Sequence, residues 1–349
     1  MVTIEQAKKS LDTVIEKGRV HLYKPIQVAE ILHRDRVYGD IDLLQLETYR
    51  KKSKQWRNDV TIPLVGRKSS SSAKYQDDLF NAIPPEVFYV LGQENRRTNG
   101  AVEAYIYNQF TNRHCQLNTA LDLCLNGTVD NFNVKEFIDS FWNEPGLKRS
   151  LDKIYEIIVY ALFSTLVEAL KLEVIVTIGE DGLPLLKEFE DFSKKVMCID
   201  STTKQHIQEA KVYRVGVTNA ADRGLDMYSN WGPAIQIKHL SLDVSLAESI
   251  ISSVSSDKVV IVCKDAEKDV IISLLTQIGW RNHIQSVVTE SDLIIWYEKA
   301  LRGTYSAALG EKLLYTLAEE IAEEFPSVDT TPDIIKDRQY EIISDDYWK

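Results

Sequence analysis

The chain has 349 residues, of which 44% are hydrophobic and 27% charged, a composition typical of a soluble globular protein with one large or two smaller cores. No stretch approaches the ~18 uninterrupted apolar residues of a membrane span, and residues 1–19 predict an amphipathic helix capped by Thr3 and Gln6 rather than a signal peptide. The four cysteines lack Cys-x-x-Cys spacing, which argues against a zinc site or a disulfide framework. We therefore expect a cytoplasmic protein with reduced thiols.

The net charge of −11 is unevenly distributed along the chain. Residues 1–175 hold 23 Lys and Arg and 23 Asp and Glu, whereas residues 176–349 hold 18 and 29, so the whole excess of acid lies in the second half. This pattern argues against a tight non-specific binder of nucleic acid. It is compatible with an enzyme that slides along DNA and releases its product.

Apolar periodicity predicts a mostly helical region in the first 145 residues. Beyond the first helix, we expect helices at 26–34, 42–56, 100–110, 116–125 and 134–142. The sequence Glu-Pro-Gly at 144–146 then interrupts the pattern. We place a domain boundary at this interruption.

A basic stretch begins near the end of the predicted helix at 42–56. Between positions 50 and 74 there are eight bases and one acid. The bases are Arg50, Lys51, Lys52, Lys54, Arg57, Arg67, Lys68 and Lys74. Together with Ser69 in the serine-rich loop, they suit the phosphate oxygens of DNA, although a solvated linker has the same composition. Arg96, Arg97 and the Arg113–His114 pair are further candidates, because arginine binds guanine edges bidentately.

The segment 151–171 is apolar nearly all round and predicts a buried helix. Glu156 is the only charged residue between positions 154 and 167 of this helix. A buried carboxylate needs a partner, because burial of an unpaired charge is costly. A metal site and a basic side chain elsewhere in the core are equally good partners for it.

The segments after this helix alternate between predicted strands and helices. In chain order they are a β-rich segment at 173–178, a helix at 185–197, a hairpin at 222–240, a helix at 244–253, a strand at 259–263, a helix at 266–278, a strand at 284–288 and a helix at 291–301. This order predicts an α/β fold with a mixed central sheet flanked by helices. An amphipathic helix at 305–325 follows, which we interpret as a docking or dimer helix with a solvated acidic tail.

The hairpin brings three polar groups together. Asp226 ends a short apolar run, and the alternation after the turn puts Gln236 and Lys238 on one strand face. An acid, an amide and a lysine in this arrangement can hold a hard cation and act on a water beside it. Asp222 is a reserve acid, although a turn or a salt bridge explains it equally well. The alternative is an ordinary hairpin whose Lys238 points to solvent.

This hairpin resembles the metal-binding motif of the PD-(D/E)XK nucleases. Asp226 matches the Asp of that motif, Gln236 its second ligand and Lys238 its Lys. Gln236 departs from the acidic pattern, and a neutral amide holds Mg²⁺ less strongly than a carboxylate. The resemblance therefore implies a Mg²⁺ site formed by Asp226, Gln236, the main-chain carbonyl of Ile237 and an additional acid, for which Glu156 is the candidate.

Four longer segments resemble the HaeII family of type II restriction endonucleases. They read HLYKPIQ at 21–27, GLKRS at 146–150, YEIIVYALFST at 155–165 and RVGVTNAADRGLDM at 214–227. The resemblance implies Mg²⁺-dependent cleavage of double-stranded DNA at a short GC-rich palindrome, of the purine-GCGC-pyrimidine kind. It also implies a restriction-modification system with a cognate DNA methyltransferase. A palindromic duplex has two-fold symmetry, and the expected assembly is therefore a homodimer.

These expectations define three regions of the chain. Residues 1–145 form a helical region for DNA recognition and dimerisation, residues 146–303 a PD-(D/E)XK-like catalytic core, and residues 304–349 a C-terminal helix and acidic tail. Two alternatives stay open: a structure-specific repair or junction-resolving nuclease, and an inactive DNA-binding protein on the same fold.

Overall fold

The computed structural model describes residues 2–69, 72–215, 225–238, 257–277, 279, 281–326 and 332–343, with the backbone alone at 238, 274 and 275. The described part is an α/β fold with a mixed sheet, which confirms the predicted fold class at this level. Its helices are α1 (Ile4–Glu16), α2 (Tyr23–Tyr38), α3 (Ser53–Val65), α4 (Ala73–Ala82), α5 (Pro85–Arg97), α6 (Ala101–Leu125), α7 (Val134–Asn143), α8 (Leu151–Ala169), α9 (Leu183–Glu188), α10 (Glu190–Met197), α11 (Lys268–Gln277), α12 (Glu290–Arg302), α13 (Ser306–Glu324) and α14 (Asp333–Asp337). Its strands are β1 (Glu173–Thr177), β2 (Gln205–Glu209), β3 (Val212–Arg214), β4 (Met227–Ser229), β5 (Ala234–Lys238), β6 (Val259–Cys263) and β7 (Ile284–Thr289).

The first region is mostly helical, as predicted, but the helix expected at 42–56 is wrong. Helix α3 begins only at Ser53, and a single 3-10 turn precedes it. The Asp42 side chain accepts a hydrogen bond from the Leu44 N–H (3.0 Å), and the Thr48 hydroxyl donates to the Gln45 carbonyl (2.8 Å). Such local bonds between side chain and backbone compete with helical hydrogen bonding, and they keep this segment in turns.

Two apolar clusters share the long helix α6. The first apolar cluster contains side chains of α1 to α5 and the first half of α6, up to Phe110. The second contains the rest of α6 from Leu117, together with α7, α8, α12, α13 and the main sheet. The two helices predicted at 100–110 and 116–125 are one continuous helix. Arg113 and His114, which lie between the two predicted helices, are buried within it.

The main sheet has the strand order β3-β4-β5-β6-β7. Strands β3, β4 and β5 pair antiparallel, whereas β5, β6 and β7 pair parallel, because a helical crossover such as α11 returns the chain in the same direction. Helix α8 packs against β3 and β5 on one face and against α13. Its nearly all-apolar sequence follows from this two-sided burial.

The predicted strand at 173–178 belongs to a separate sheet. It forms β1, which pairs with β2 in a two-stranded antiparallel ribbon, and the third antiparallel strand of the main sheet is β3 instead. Ten large apolar side chains in this region are 40–65% exposed. We call them the 170–209 surface: Leu170, Leu172, Ile175, Val176, Leu185, Phe189, Phe192, Val196, Met197 and Ile207.

Residues 332–343 are not the solvated tail that the sequence predicts. Ile335 and Tyr340 are buried in the first apolar cluster. Arg338 donates to both carboxylate oxygens of Glu30 (2.6 and 3.0 Å), so the charge of this arginine is paired within the protein.

The second apolar cluster extends across the Glu-Pro-Gly interruption, because Phe141 and Leu147 both belong to it. The division after residue 145 stays a prediction. In the portion of the chain described, no helix is long and apolar enough to cross a membrane.

Candidate active site

Asp226 is held between two strands. It immediately precedes β4, and its Oδ2 accepts a hydrogen bond from the Ile237 N–H of β5 at 2.7 Å. Its main-chain carbonyl accepts another from the Val215 N–H, just after β3, at 3.0 Å. The carboxylate therefore has a fixed orientation at one end of the antiparallel part of the sheet.

Gln236 lies in β5, between β4 and β6, and is 0% exposed. An amide side chain in so buried a position is costly unless its polar atoms interact. Its neighbour Ile237 is the residue whose N–H binds Asp226. The predicted ligands Asp226 and Gln236 and the carbonyl of Ile237 therefore lie on adjacent parts of one hairpin.

Glu156 joins this site from helix α8. Its side chain is only 9% exposed, and Lys153, one turn earlier, donates to its two oxygens at 2.9 and 2.6 Å. Burial, opposed by Lys153 and reinforced by the negative charge of Asp226, raises the pKa of Glu156 to about 7. The buried carboxylate thus pairs with a lysine of its own helix rather than with a base elsewhere in the core, and its part in a metal site stays a prediction.

Arg214 is a site residue for which sequence reasoning proposed no role. It ends β3, and its side chain is 6% exposed. It binds Glu320 of α13 at 2.7 Å and lies 3.5 Å from Glu324, and its charge also lowers the pKa of Glu156. The sequence did contain a sign of this residue. The glutamates near the end of the amphipathic helix at 305–325 need a basic side chain on the element against which that helix packs.

The candidate metal ligands of this site are of three chemical types. Across the described residues, no group of three or more His, Cys, Asp and Glu side chains is close enough to hold a metal ion. The two carboxylates of this site are Glu156 and Asp226, and the other candidate ligands are an amide and a main-chain carbonyl. All four groups offer oxygen, which is the ligand that Mg²⁺ prefers.

Several predicted residues lie outside the described part of the chain. These are Asp222 and the helix at 244–253, whereas β5 includes Lys238 only as backbone.

Comparison with known proteins decides the family. A sequence model of the HaeII restriction endonuclease family matches residues 7–340. The chain belongs to this family. It is 56% identical to the "Type II restriction enzyme HaeII" of Haemophilus aegyptius over 331 residues, which cover 94% of each chain. It is also 54% identical to the "Type II restriction enzyme NgoBI" of Neisseria gonorrhoeae over 344 residues, 97% of each chain. No solved structure matches.

The predicted resemblance is thereby confirmed, and with it the prediction that the chain is a type II restriction enzyme. The match covers the helical region, the main sheet and the segment 332–340 together. The buried contacts described above therefore lie within the part of the chain that matches the HaeII family.

The structure does not bring the predicted DNA-binding residues of this HaeII-family chain to one place. Arg57 is 0% exposed and donates to Gln27 (3.1 Å) and Asn58 (2.8 Å), so it is part of the interior. Arg113 is also buried and donates to the carbonyls of Ile15 (2.7 Å) and Gly18 (2.6 Å).

Three other candidates are partly neutralised by acids. Arg50 pairs with Asp77, Arg96 with Asp35, and Arg97 with Glu94 at 2.7 Å. The exposed lysines of the set are Lys51, Lys52, Lys68 and Lys74, and Lys54 is half-buried.

Arg67, Lys68 and Ser69 form a group that lines a cavity of about 940 Å³. The other basic residues of its lining come from different parts of the chain: Lys17, Arg19, Lys24 and Lys153. Sequence reasoning missed these four, because they are isolated bases within mixed segments and only the fold assembles them.

Proposed function

We propose that this restriction enzyme hydrolyses phosphodiester bonds of double-stranded DNA with Mg²⁺, at the site formed by Asp226, Gln236, Ile237 and Glu156. The observation that carries the proposal is the electrostatic coupling of a buried carboxylate, Glu156, and a half-buried one, Asp226. Glu156 and Asp226 come from different elements, and the charge of Asp226 raises the pKa of Glu156. A cation between them would relieve this repulsion.

The residues fit Mg²⁺ by their chemistry. Two carboxylates, one amide oxygen and one main-chain carbonyl would hold it. The hydrogen bond from Ile237 fixes the Asp226 carboxylate, and Lys153 fixes that of Glu156, so both ligands are oriented in advance. When bound, the ion would lower the pKa of a water molecule and stabilise negative charge on the scissile phosphate.

The remaining groups of the site act on the water and on the ligands. Lys238 would orient the attacking water or help to deprotonate it, which is the role implied by its place in the motif. Arg214 would hold α13 against the sheet beside the site through Glu320. Hydrolysis in this arrangement needs no covalent intermediate with the protein.

We propose further that the main sheet is a PD-(D/E)XK core. Its support is the order of elements: helix α8, the antiparallel strands β3, β4 and β5, and then β6 parallel to β5. The two ligand positions of the motif fall at the start of β4 and within β5, the strands expected for them.

The recognition site is proposed to be a palindrome of the purine-GCGC-pyrimidine kind, and a cognate methyltransferase would protect the same site in the host. A palindrome is matched by a C₂ homodimer with one active site per strand.

We propose the 170–209 surface as the dimer contact, in place of the helical region and of the helix at 305–325, whose apolar face is buried within the chain. A two-stranded ribbon is marginal alone, and ten exposed apolar side chains within forty residues exceed what a monomer ordinarily leaves uncovered. The segment 170–209 carries 5 Lys and 8 Asp and Glu, so its charge disfavours DNA as the partner.

The decisive experiment maps the cut ends. The purified protein would be incubated with long unmethylated DNA and Mg²⁺, with EDTA and Lys238→Ala as controls. Discrete fragments ending at one palindrome, lost in both controls and on DNA methylated at that palindrome, are expected. Cleavage only at branched DNA would instead support a repair or junction-resolving nuclease. Retarded but intact DNA would indicate an inactive DNA-binding protein.

A further inference from the structure

The basic cavity of about 940 Å³ lies between the helical region and the start of α8. Its wall is formed by Val14 and residues 17–24, by the segment 67–69, by four residues of α4 between 75 and 82, by Ser150 and Lys153 near the start of α8, and by the end of α13. It therefore joins the region of the first apolar cluster to the helix that carries Glu156.

The lining of this cavity is strongly positive in a protein that is acidic overall. It contains six bases and two carboxylates, whereas the whole chain has a net charge of −11. The bases are Lys17, Arg19, Lys24, Arg67, Lys68 and Lys153, and the acids are Asp78 and Glu324. A concave surface with walls of low dielectric constant concentrates the field of such charges.

Both acids of the lining already face a cation. Asp78 lies 3.5 Å from Lys24, and Glu324 lies 3.5 Å from Arg214 behind the wall. By contrast, no carboxylate among the described residues forms an ion pair with Lys17, Arg19, Arg67 or Lys68. The cavity thus presents cations that an external anion can bind.

The uncharged groups of the cavity lining do not change its excess of positive charge. His21 is buried against His114, and burial followed by the charge of Arg67 lowers the pKa of His21 to about 4. It is uncharged at neutral pH. Lys24 lies over the Tyr75 ring, 4.7 Å from its centroid, which holds this lysine at the wall.

Lys153 connects the basic cavity to the candidate active site. It lines the cavity and also donates two hydrogen bonds, of 2.9 and 2.6 Å, to Glu156 of the candidate active site. An anion bound here would therefore lie beside the site of hydrolysis. Lysine is a point charge on a flexible stem, which suits phosphate oxygens better than base edges.

We infer that the basic cavity binds backbone phosphates of the strand being cut, next to the scissile bond. Lys17, Arg19, Arg67 and Lys68 hold them from the helical region, and Lys153 holds them from the side of the catalytic core. This inference rests on the proposed function, because it takes double-stranded DNA as the substrate. It adds a binding site that the metal-binding motif does not include.

The test uses the full-length protein and a duplex that carries the mapped cleavage site. The variant Lys17→Ala/Arg19→Ala removes two exposed charges from the mouth of the cavity. The matched control is Lys9→Ala/Lys299→Ala, which removes two exposed charges elsewhere. Cleavage of each protein is measured over a range of salt concentrations, after equal thermal unfolding midpoints have been verified.

Each lost phosphate contact should reduce the slope of log KM against log salt concentration by about 1. The cavity variant loses two contacts, so its slope should be smaller than that of the wild type by about 2. Its KM should rise, its kcat should stay unchanged, and its discrimination against a one-base change in the site should stay intact. The control should keep the wild-type slope.

Four results would overturn the inference. An unchanged slope in the cavity variant would mean that no phosphate is bound there, and an equal change in the control would mean a general effect of net charge. Relaxed discrimination would mean that the cavity reads bases. A thermal shift caused by inorganic phosphate, without any change in slope, would assign the cavity to a small phosphate compound. Loss of cleavage by the wild type itself would instead contradict the proposed function.

Discussion

The main-chain N–H of Ile237 donates a 2.7 Å hydrogen bond to the carboxylate of Asp226. This bond joins the residue before β4 to the strand beside it. The bond needs only an acceptor oxygen at position 226. A substitution that keeps this oxygen and removes the negative charge can therefore test the structural role of Asp226 and the role of its charge separately.

The substitution Asp226→Asn uses this separation. The amide oxygen of Asn can accept the same hydrogen bond from Ile237, whereas the negative charge is lost. We expect a normal unfolding midpoint and a loss of cleavage of about 100-fold or more, because a catalytic metal supplies several kcal/mol and about 1.4 kcal/mol corresponds to tenfold. Single-turnover cleavage measures the loss. Retention of the wild-type rate would contradict the metal site.

The substitution Gln236→Glu would restore the acidic pattern of the motif. A third carboxylate at this fully buried position should lower stability without metal, because like charges repel. Mg²⁺ should then raise the unfolding midpoint more than it does in the wild type, since a ligand that binds the folded state stabilises it. Differential scanning calorimetry with and without Mg²⁺ measures both effects. The exposed Gln208→Glu is the control, and an equal Mg²⁺ response in both variants would contradict the assignment.

Glu103 should control stability in acid. Burial opposes its ionisation, but hydrogen bonds from Arg36, His33, Tyr340 and Asn95 outweigh burial and lower its pKa from 4.5 to about 2. A lowered pKa in the folded state stabilises the protein above pH 4.5, and this contribution is lost as the pH falls towards 2.

The variant Glu103→Gln should therefore be less stable at pH 7 by about 3–5 kcal/mol, because Arg36 loses its buried partner. The difference in unfolding free energy between this variant and the wild type should decrease as the pH falls from 4.5 to 2, as measured by urea unfolding. The exposed Glu47→Gln should follow the wild type throughout. A constant difference across this range would mean that the Glu103 pKa is not lowered.

Tyr340 should be a stabilising residue of the helical region. It is 0% exposed and stacks on Tyr107, with ring centroids 5.1 Å apart. The truncation Tyr340→Ala should cost about 3–5 kcal/mol of unfolding free energy, as other buried aromatic residues do. The control Ile342→Ala changes a side chain that is 80% exposed and should have little effect. Equal stability of the two variants would contradict the packing of residues 332–343.

The substitution Phe192→Asp tests the 170–209 surface. Phe192 is 49% exposed on this surface, and a buried charge at a dimer contact would be costly. We expect the variant to sediment as a single chain while the wild type sediments as a dimer. Tyr305→Asp places the same charge on a side chain that is 73% exposed elsewhere, and it should leave the dimer intact. Identical sedimentation of Phe192→Asp and wild type would remove this surface from consideration.

Local sequence patterns predicted the elements that local interactions determine. The buried helix α8 and the strands β6 and β7 follow from runs of apolar residues, and the spacing of Asp226 and Gln236 follows from a short hairpin. The three-residue strand β3 could not be predicted, because it is too short to show a period and is defined by its pairing with β4.

Long-range pairing explains the other differences. The partner of Glu156 was open from sequence alone, although Lys153 lies one turn away on the same helix and could have been proposed from that spacing. The acidic composition of the C-terminal region predicted solvation. Only the fold reveals that Arg338 and Tyr340 meet Glu30 and Glu103, more than two hundred residues earlier.

That contact has a consequence for how the enzyme is made. Until residues 338–340 have been synthesised, Glu30 and Glu103 lack partners that they have in the finished protein, and the helical region cannot complete its interior. Such distant contacts delay folding, since a long loop must close first. A partly translated chain therefore lacks these contacts, and we expect it to be less stable than a chain that has passed residue 340.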